Sequence, residues 1–156
     1  IKDFWKKIDE NEKTHLITRG ERDKEEYSFI NIPIEGGYFL NKTVGFEYGQ
    51  TKGFNLINAE VRPMLVEAKV PHVGFNTIEV VNTNKIIKGL EKEEFYFMHS
   101  YEVVNYTNIV SLTEYAGHKF VSSIQKNNIY GVQFHPEKSR DAGIQLLKNF
   151  INLREK

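Results

Sequence analysis

The 156-residue sequence contains no cysteine. That excludes disulfides, thiolate metal sites and any cysteine nucleophile within these residues. No apolar run approaches the ~20 residues a membrane helix needs. The start, Ile1-Lys2-Asp3-Phe4-Trp5, has neither the apolar core nor the cleavage site of a signal peptide. Charge of one sign is also missing in excess: 21 basic residues face 21 acidic ones, so no global field draws in nucleic acid or acidic lipid. There is no internal repeat and no low-complexity segment. The expectation from these absences is a cytoplasmic protein without nucleic-acid or membrane partners. The first residue, Ile1, is not methionine, as expected of a fragment or a processed form.

A hydrophobic fraction of 40% and an aromatic fraction of 13% argue for a packed core, and the length suits one domain over residues 1–156. Ile1, Phe4, Trp5 and Ile8 fall at helical spacing, predicting a short amphipathic helix that ends near Asp9. Residues 9–26 are dense in charge and read as a solvated loop or exposed face. Tyr27 to Ile34 reads as a buried strand running into the turn signal Glu35-Gly36-Gly37. From Phe54 strand follows strand: Phe54 to Val61, Gly74 to Val81, Glu94 to Val104, Ile109 to Tyr115, Lys119 to Gln125 and Ile129 to Phe134. Ala116-Gly117 and Asn127-Asn128 sit at hairpin distances between the last three. Ala142, Leu146, Leu147, Phe150 and Ile151 share a helical face, with Ser139 placed to cap the helix and Asp141 near the positive end of its dipole.

The sharpest local feature is Gly131-Val132-Gln133-Phe134-His135-Pro136-Glu137-Lys138-Ser139. A hydrophobic strand delivers His135, and Glu137 follows on the same side of an extended chain. Pro136 between them is expected to hold a non-helical conformation. A carboxylate on one imidazole nitrogen sets the tautomer and leaves the other nitrogen as a base, which is the proton-moving half of a nucleophile–histidine–acid triad. A histidine beside a glutamate is also a common surface accident. His72 and His99 could equally be satisfied core or strand-end residues, while His15 and His118 read as solvent-exposed. No histidine pair has a metal-ligand spacing such as His-x-x-x-His, so no metal is expected.

The segment 131–139, with the helix that follows it, resembles the terminal triad signature of class I glutamine amidotransferases. Three further segments are similar to the glutaminase subunit of imidazole glycerol phosphate synthase: Lys52-Gly53-Phe54-Asn55-Leu56-Ile57, Val70-Pro71-His72-Val73-Gly74-Phe75-Asn76 and Tyr96-Phe97-Met98-His99-Ser100-Tyr101. The likeness runs from about Gly49 to Phe150, and residues 1–27 match nothing in the family. It implies an α/β fold with a mixed, mostly parallel central sheet flanked by helices, plus an antiparallel meander over residues 58–125. It implies that His135 is the general base, that Glu137 is its orienting acid, and that the backbone at Ser100 and Tyr101 holds glutamine. Pro71, His72, Gly74, Phe75 and Asn76, with Lys138, would face a (β/α)₈ cyclase partner to which ammonia passes. No cofactor is implied.

The pattern breaks at the nucleophile. The family places a cysteine on a strained strand-to-helix turn of the form Gly-x-Cys-x-Gly. Measured back from Lys52-Gly53, that turn falls on Ile32-Pro33-Ile34-Glu35-Gly36-Gly37-Tyr38. Gly36 matches the glycine after the elbow, where it would help hold substrate. Ile34 takes the cysteine's place, Ile32 that of the first glycine, and Tyr38 that of a substrate-binding glutamine. Isoleucine cannot attack an amide, and His135 with Glu137 can only move protons. The resemblance therefore implies a histidine-biosynthesis glutaminase subunit, inactive in this chain. The alternatives are a non-catalytic subunit docking on a cyclase, and the ammonia-supplying subunit of a related surface-sugar amination synthase. A stand-alone hydrolase would need Ser100 or Ser139 as nucleophile, and neither lies on a Gly-x-Ser-x-Gly elbow.

Overall fold

The computed structural model describes residue 57, residues 59–154, and the backbone of two short strands at 16–18 and 28–31. The helix expected at residues 1–8 and the turn around Ile34 and Gly36 lie outside the described residues. The described residues form ten strands: β1 (Leu16–Thr18), β2 (Ser28–Asn31), β3 (Glu60–Pro63), β4 (His72–Thr77), β5 (Glu79–Val80), β6 (Glu94–His99), β7 (Tyr101–Val104), β8 (Ile109–Tyr115), β9 (His118–Lys126) and β10 (Ile129–Val132). A helix, α1 (Arg140–Ile151), follows them.

Six strands form one sheet in the order β1-β2-β10-β9-β8-β5, while β3 pairs with β7 and β4 with β6. The pairing of β10 with β2 is parallel, and the other described pairings are antiparallel. The expected meander supplies β5, β8 and β9, half the strands of this sheet, and β2–β10 is its parallel junction. The arrangement is α/β, with α1 packed beside the strands. The charge-rich stretch 9–26 reads as a solvated loop or exposed face, and within it Leu16–Thr18 pairs with β2 as a short strand. Three β-favouring residues in a row are enough to extend the sheet edge through that charge density.

The hairpin signals are read correctly. Tyr115 pairs with His118 across a two-residue loop in which both Ala116 (φ 51°) and Gly117 (φ 79°) are left-handed, the geometry whose twist suits a hairpin. Lys126 pairs with Ile129, and Asn127 takes φ 54° between them.

Among the described residues, two apolar clusters pack on strands of this sheet. The larger joins Phe95 and Phe97 of β6, Phe120 of β9, Val132 of β10, and Leu146 and Phe150 of α1. The smaller joins Ile57, Val61 and Val103 to Val121 and Ile124 of β9. In β6, Phe95, Phe97 and His99 are buried while Glu94, Tyr96 and Met98 are more open, the period-two pattern of a strand with one inward face. On α1, Ala142, Leu146 and Phe150 are buried, but Ile151 is 47% exposed and does not share their face. At about 100° per residue it lies roughly half a turn from Ala142, outside the buried stripe. Gly143 explains how closely α1 can approach the site: a Cβ there would lie 1.8 Å from the carbonyl oxygen of Pro136.

Candidate active site

β10 carries the chain through Phe134, which is fully buried and stacks on Phe95 (4.1 Å between ring centroids), and delivers His135 beside β6. There the backbone N–H of His135 donates to the carbonyl of Tyr96 (2.8 Å). The His135 carbonyl accepts from the N–H of Lys138 (3.0 Å) and from the Ser139 hydroxyl (2.6 Å). Ser139 Oγ also accepts from the Tyr96 N–H (2.9 Å). Ser139 is thus the N-cap residue by position but makes no side-chain capping bond. Its hydroxyl instead ties the histidine loop to β6, a role that the helix-start signal does not reveal.

Pro136–Lys138 forms a 3₁₀ turn with His135 extended before it (φ −97°, ψ 98°). The expected non-helical conformation is therefore corrected. Proline at the first position of a helical turn loses no hydrogen bond and has the right φ, so it starts this turn instead of preventing one. The turn brings Glu137 onto the ring: His135 Nδ1 lies 2.9 Å from Glu137 Oε1. A carboxylate only accepts, so the Nδ1 proton points at Glu137 and Nε2 of the neutral ring is bare. Nε2 is buried and has no hydrogen-bond partner among the described residues. The His135 side chain is 9% exposed against 45% for Glu137. This arrangement can take up a proton at Nε2 and stabilise the resulting cation, the part of a general base.

The expected docking segment is β4 with Pro71 before it. Pro71 is exposed, and Gly74, Phe75 and Asn76 are half-buried. The Phe75 and Tyr96 rings meet edge to face (5.4 Å). The exposed guanidinium of Arg140 lies over Phe75 (4.2 Å), and the Lys138 ammonium lies over Tyr96 (5.7 Å). His72 departs from the expectation. Only 2% exposed, it stacks against Tyr115 (4.1 Å) and Phe97 (5.1 Å), because its position on β4 pairs with inward-facing His99. Burial pushes its pKa down to about 4. His99 is fully buried and is also held near 4, by burial first and by the nearby His72 and His135, against a hydrogen bond to Tyr101 that favours its charged form. Ser100 follows His99, and its carbonyl accepts from the N–H of Met64 (2.9 Å). His118, read as solvent-exposed, has a side chain only 36% exposed and lies 2.8 Å from Glu102. Among the described residues, no group of three or more histidine, aspartate or glutamate side chains is arranged to hold a metal ion, and no helix is long and apolar enough to cross a membrane.

A strand thus delivers a His–Glu pair at the start of a closing helix, and a family comparison gives the chain a class. The model for glutamine amidotransferase class-I matches residues 44–153, and the chain belongs to that family. Its relatives are more particular. It is 41% identical over 136 residues to imidazole glycerol phosphate synthase subunit HisH 1 of Campylobacter jejuni strain RM1221, covering 83% of this chain and 68% of that protein. The HisH subunit of Pelagibacter ubique is 38% identical over 115 residues (70% of this chain, 55% of that protein). That of Aquifex aeolicus is 39% identical over 114 residues (71% and 55%). The chain thus spans between about half and two thirds of the length of these relatives.

Proposed function

We propose that this chain is a glutaminase-type subunit of an imidazole glycerol phosphate synthase, in histidine biosynthesis, whose own glutamine hydrolysis is disabled. The observation that carries the reading is an ordered base without a nucleophile. His135 Nε2 is buried and unpaired among the described residues while Glu137 holds Nδ1, and the 156 residues contain no cysteine. In an intact thiol site the base takes the thiol proton, sulfur attacks the side-chain amide of glutamine, and the base protonates the departing ammonia. Water then opens the thioester, with backbone amides near the elbow holding the oxyanion. Here His135 would be the proton carrier, and Ile34 takes the cysteine's place in the order of the sequence.

Under this reading the backbone at Ser100 and Tyr101, with Gly36, holds glutamine. The face formed by Pro71, Gly74, Phe75, Asn76 and Lys138 meets a (β/α)₈ cyclase, which receives ammonia at one end of its barrel. The missing cysteine also favours a second reading, in which the chain serves that cyclase only as a non-catalytic docking subunit. Ammonia release from glutamine, measured with and without a cyclase and alongside an Ile34→Cys variant, separates these. Release by the variant alone supports a disarmed glutaminase. No release by either, from folded chains that bind the cyclase, supports the docking subunit. Release by the unaltered chain would overturn the reading.

A further inference from the structure

Four polar groups run in one direction through the core between β4 and β7. His99 Nδ1 lies 2.8 Å from the Tyr101 carbonyl oxygen. A carbonyl cannot donate, so the proton sits on Nδ1 and Nε2 of the neutral ring is an acceptor. His72 Nδ1 lies 3.1 Å from that Nε2, and must therefore donate to it. His72 Nε2 is then the acceptor, and the Asn76 amide nitrogen lies 3.4 Å away. That amide is itself oriented by its other hydrogen, donated to the Glu114 carbonyl (3.0 Å). Every donor in the relay has one acceptor and every acceptor one donor, which is the condition for a buried polar network to be stable. Both rings are in the Nδ1–H form. The low pKa values imposed by burial keep both neutral across the ordinary pH range, so the direction does not reverse.

We infer that His99 is a positioning residue for the Ser100–Tyr101 backbone, and that His72 and Asn76 hold its ring from β4 by hydrogen bonds, so that the β4 face and this backbone are mechanically linked. The relevance to glutamine rests on the proposed function; the relay itself does not. The side chains that carry it lie on one strand pair. His72 and Asn76 share a face of β4, His72 is the cross-strand partner of His99, and Tyr101 opens β7 two residues later. The rings are held in place by Phe97, Tyr115 and Phe120, so neither can swing to find another partner. A partner pressing on β4 and shifting Asn76 changes the only donor to His72 Nε2 in this relay. The change passes through two hydrogen-bonded rings, whose tautomers stay as they are, to a single carbonyl.

The test is nitrogen-15 and carbon-13 NMR on the whole labelled chain at neutral pH, with L-glutamine titrated afterwards. The expected result is Nδ1–H on both His72 and His99. In a His72→Phe variant, which keeps the ring stack and removes the donor, the Tyr101 carbonyl resonance should shift and glutamine binding should weaken several-fold. An Nε2–H signal on either ring of the unaltered chain would overturn the relay without requiring any variant to fold. An unmoved Tyr101 carbonyl in folded His72→Phe would overturn the link. If the relay signals are as expected but the unaltered chain, alone and with a cyclase, binds no glutamine, the positioning of this backbone stands and the glutamine-site reading falls.

Discussion

Acidification should unfold this protein through His72 and His99 before its carboxylates matter. Each ring has a folded pKa of about 4 against an ordinary value near 6.5. In the native state both are therefore neutral at pH 5.5, whereas in the unfolded chain both are mostly charged. The contribution of the pair is fully present above about pH 6.5 and is lost as pH falls toward 4. Lowering a pKa by one pH unit is worth about 1.4 kcal/mol, so a single ring loses about 3 kcal/mol over that window. Near pH 5.5 the unfolded state holds almost two more protons, giving a stability slope of about 2.5 kcal/mol per pH unit. The titratable groups facing the pair are His135 and the phenol of Tyr115, and among the described residues no carboxylate is in contact to rescue a charged ring. Urea midpoints measured between pH 5 and 7 give the slope directly. In His72→Phe it should fall by about half, which separates the rings from the rest of the molecule's titration. Equal slopes in the two proteins would refute the assignment.

Three substitutions test the rest of the scaffold. Gly143→Ala drives a methyl into the Pro136 carbonyl, and should lower unfolding stability by about 3 kcal/mol in urea titration, as overpacking does. Ser139→Ala removes one buried and one part-buried hydrogen bond and leaves the Tyr96 N–H without this partner; a loss of about 2 kcal/mol is expected, with the His135 ring resonances shifted. Ala116→Gly relieves a left-handed alanine at φ 51° and should raise stability by about 1 kcal/mol, read as a higher thermal midpoint.

Local signals carry much of this fold. Ala116-Gly117 and Asn127-Asn128 mark hairpins because glycine and asparagine tolerate positive φ, and the terminal helix follows from its spaced apolar residues. The His135–Glu137 contact is also legible, although for a different backbone reason: a 3₁₀ turn, not an extended chain, closes the distance. What stays hidden depends on pairing between distant strands. Whether His72 faces a partner or the core is decided by its register opposite His99, and nothing within Val70 to Asn76 encodes that. Ser139 has the same ambiguity, since a serine before a helix looks like a cap until β6 arrives beside it with an unpaired N–H. The short strand at Leu16–Thr18 is masked by the charges around it.

If glutamine hydrolysis is lost as proposed, the fastening of His135 to β6 limits where the chain can drift. The histidine's backbone, Ser139 and the Tyr96 peptide form a closed knot of hydrogen bonds buried under α1, and folding alone demands it. A lineage released from glutamine hydrolysis would keep most of the signature for the sake of its core. Glu137 is nearly half exposed and meets the imidazole ring. It is the position where relaxed selection would first become visible.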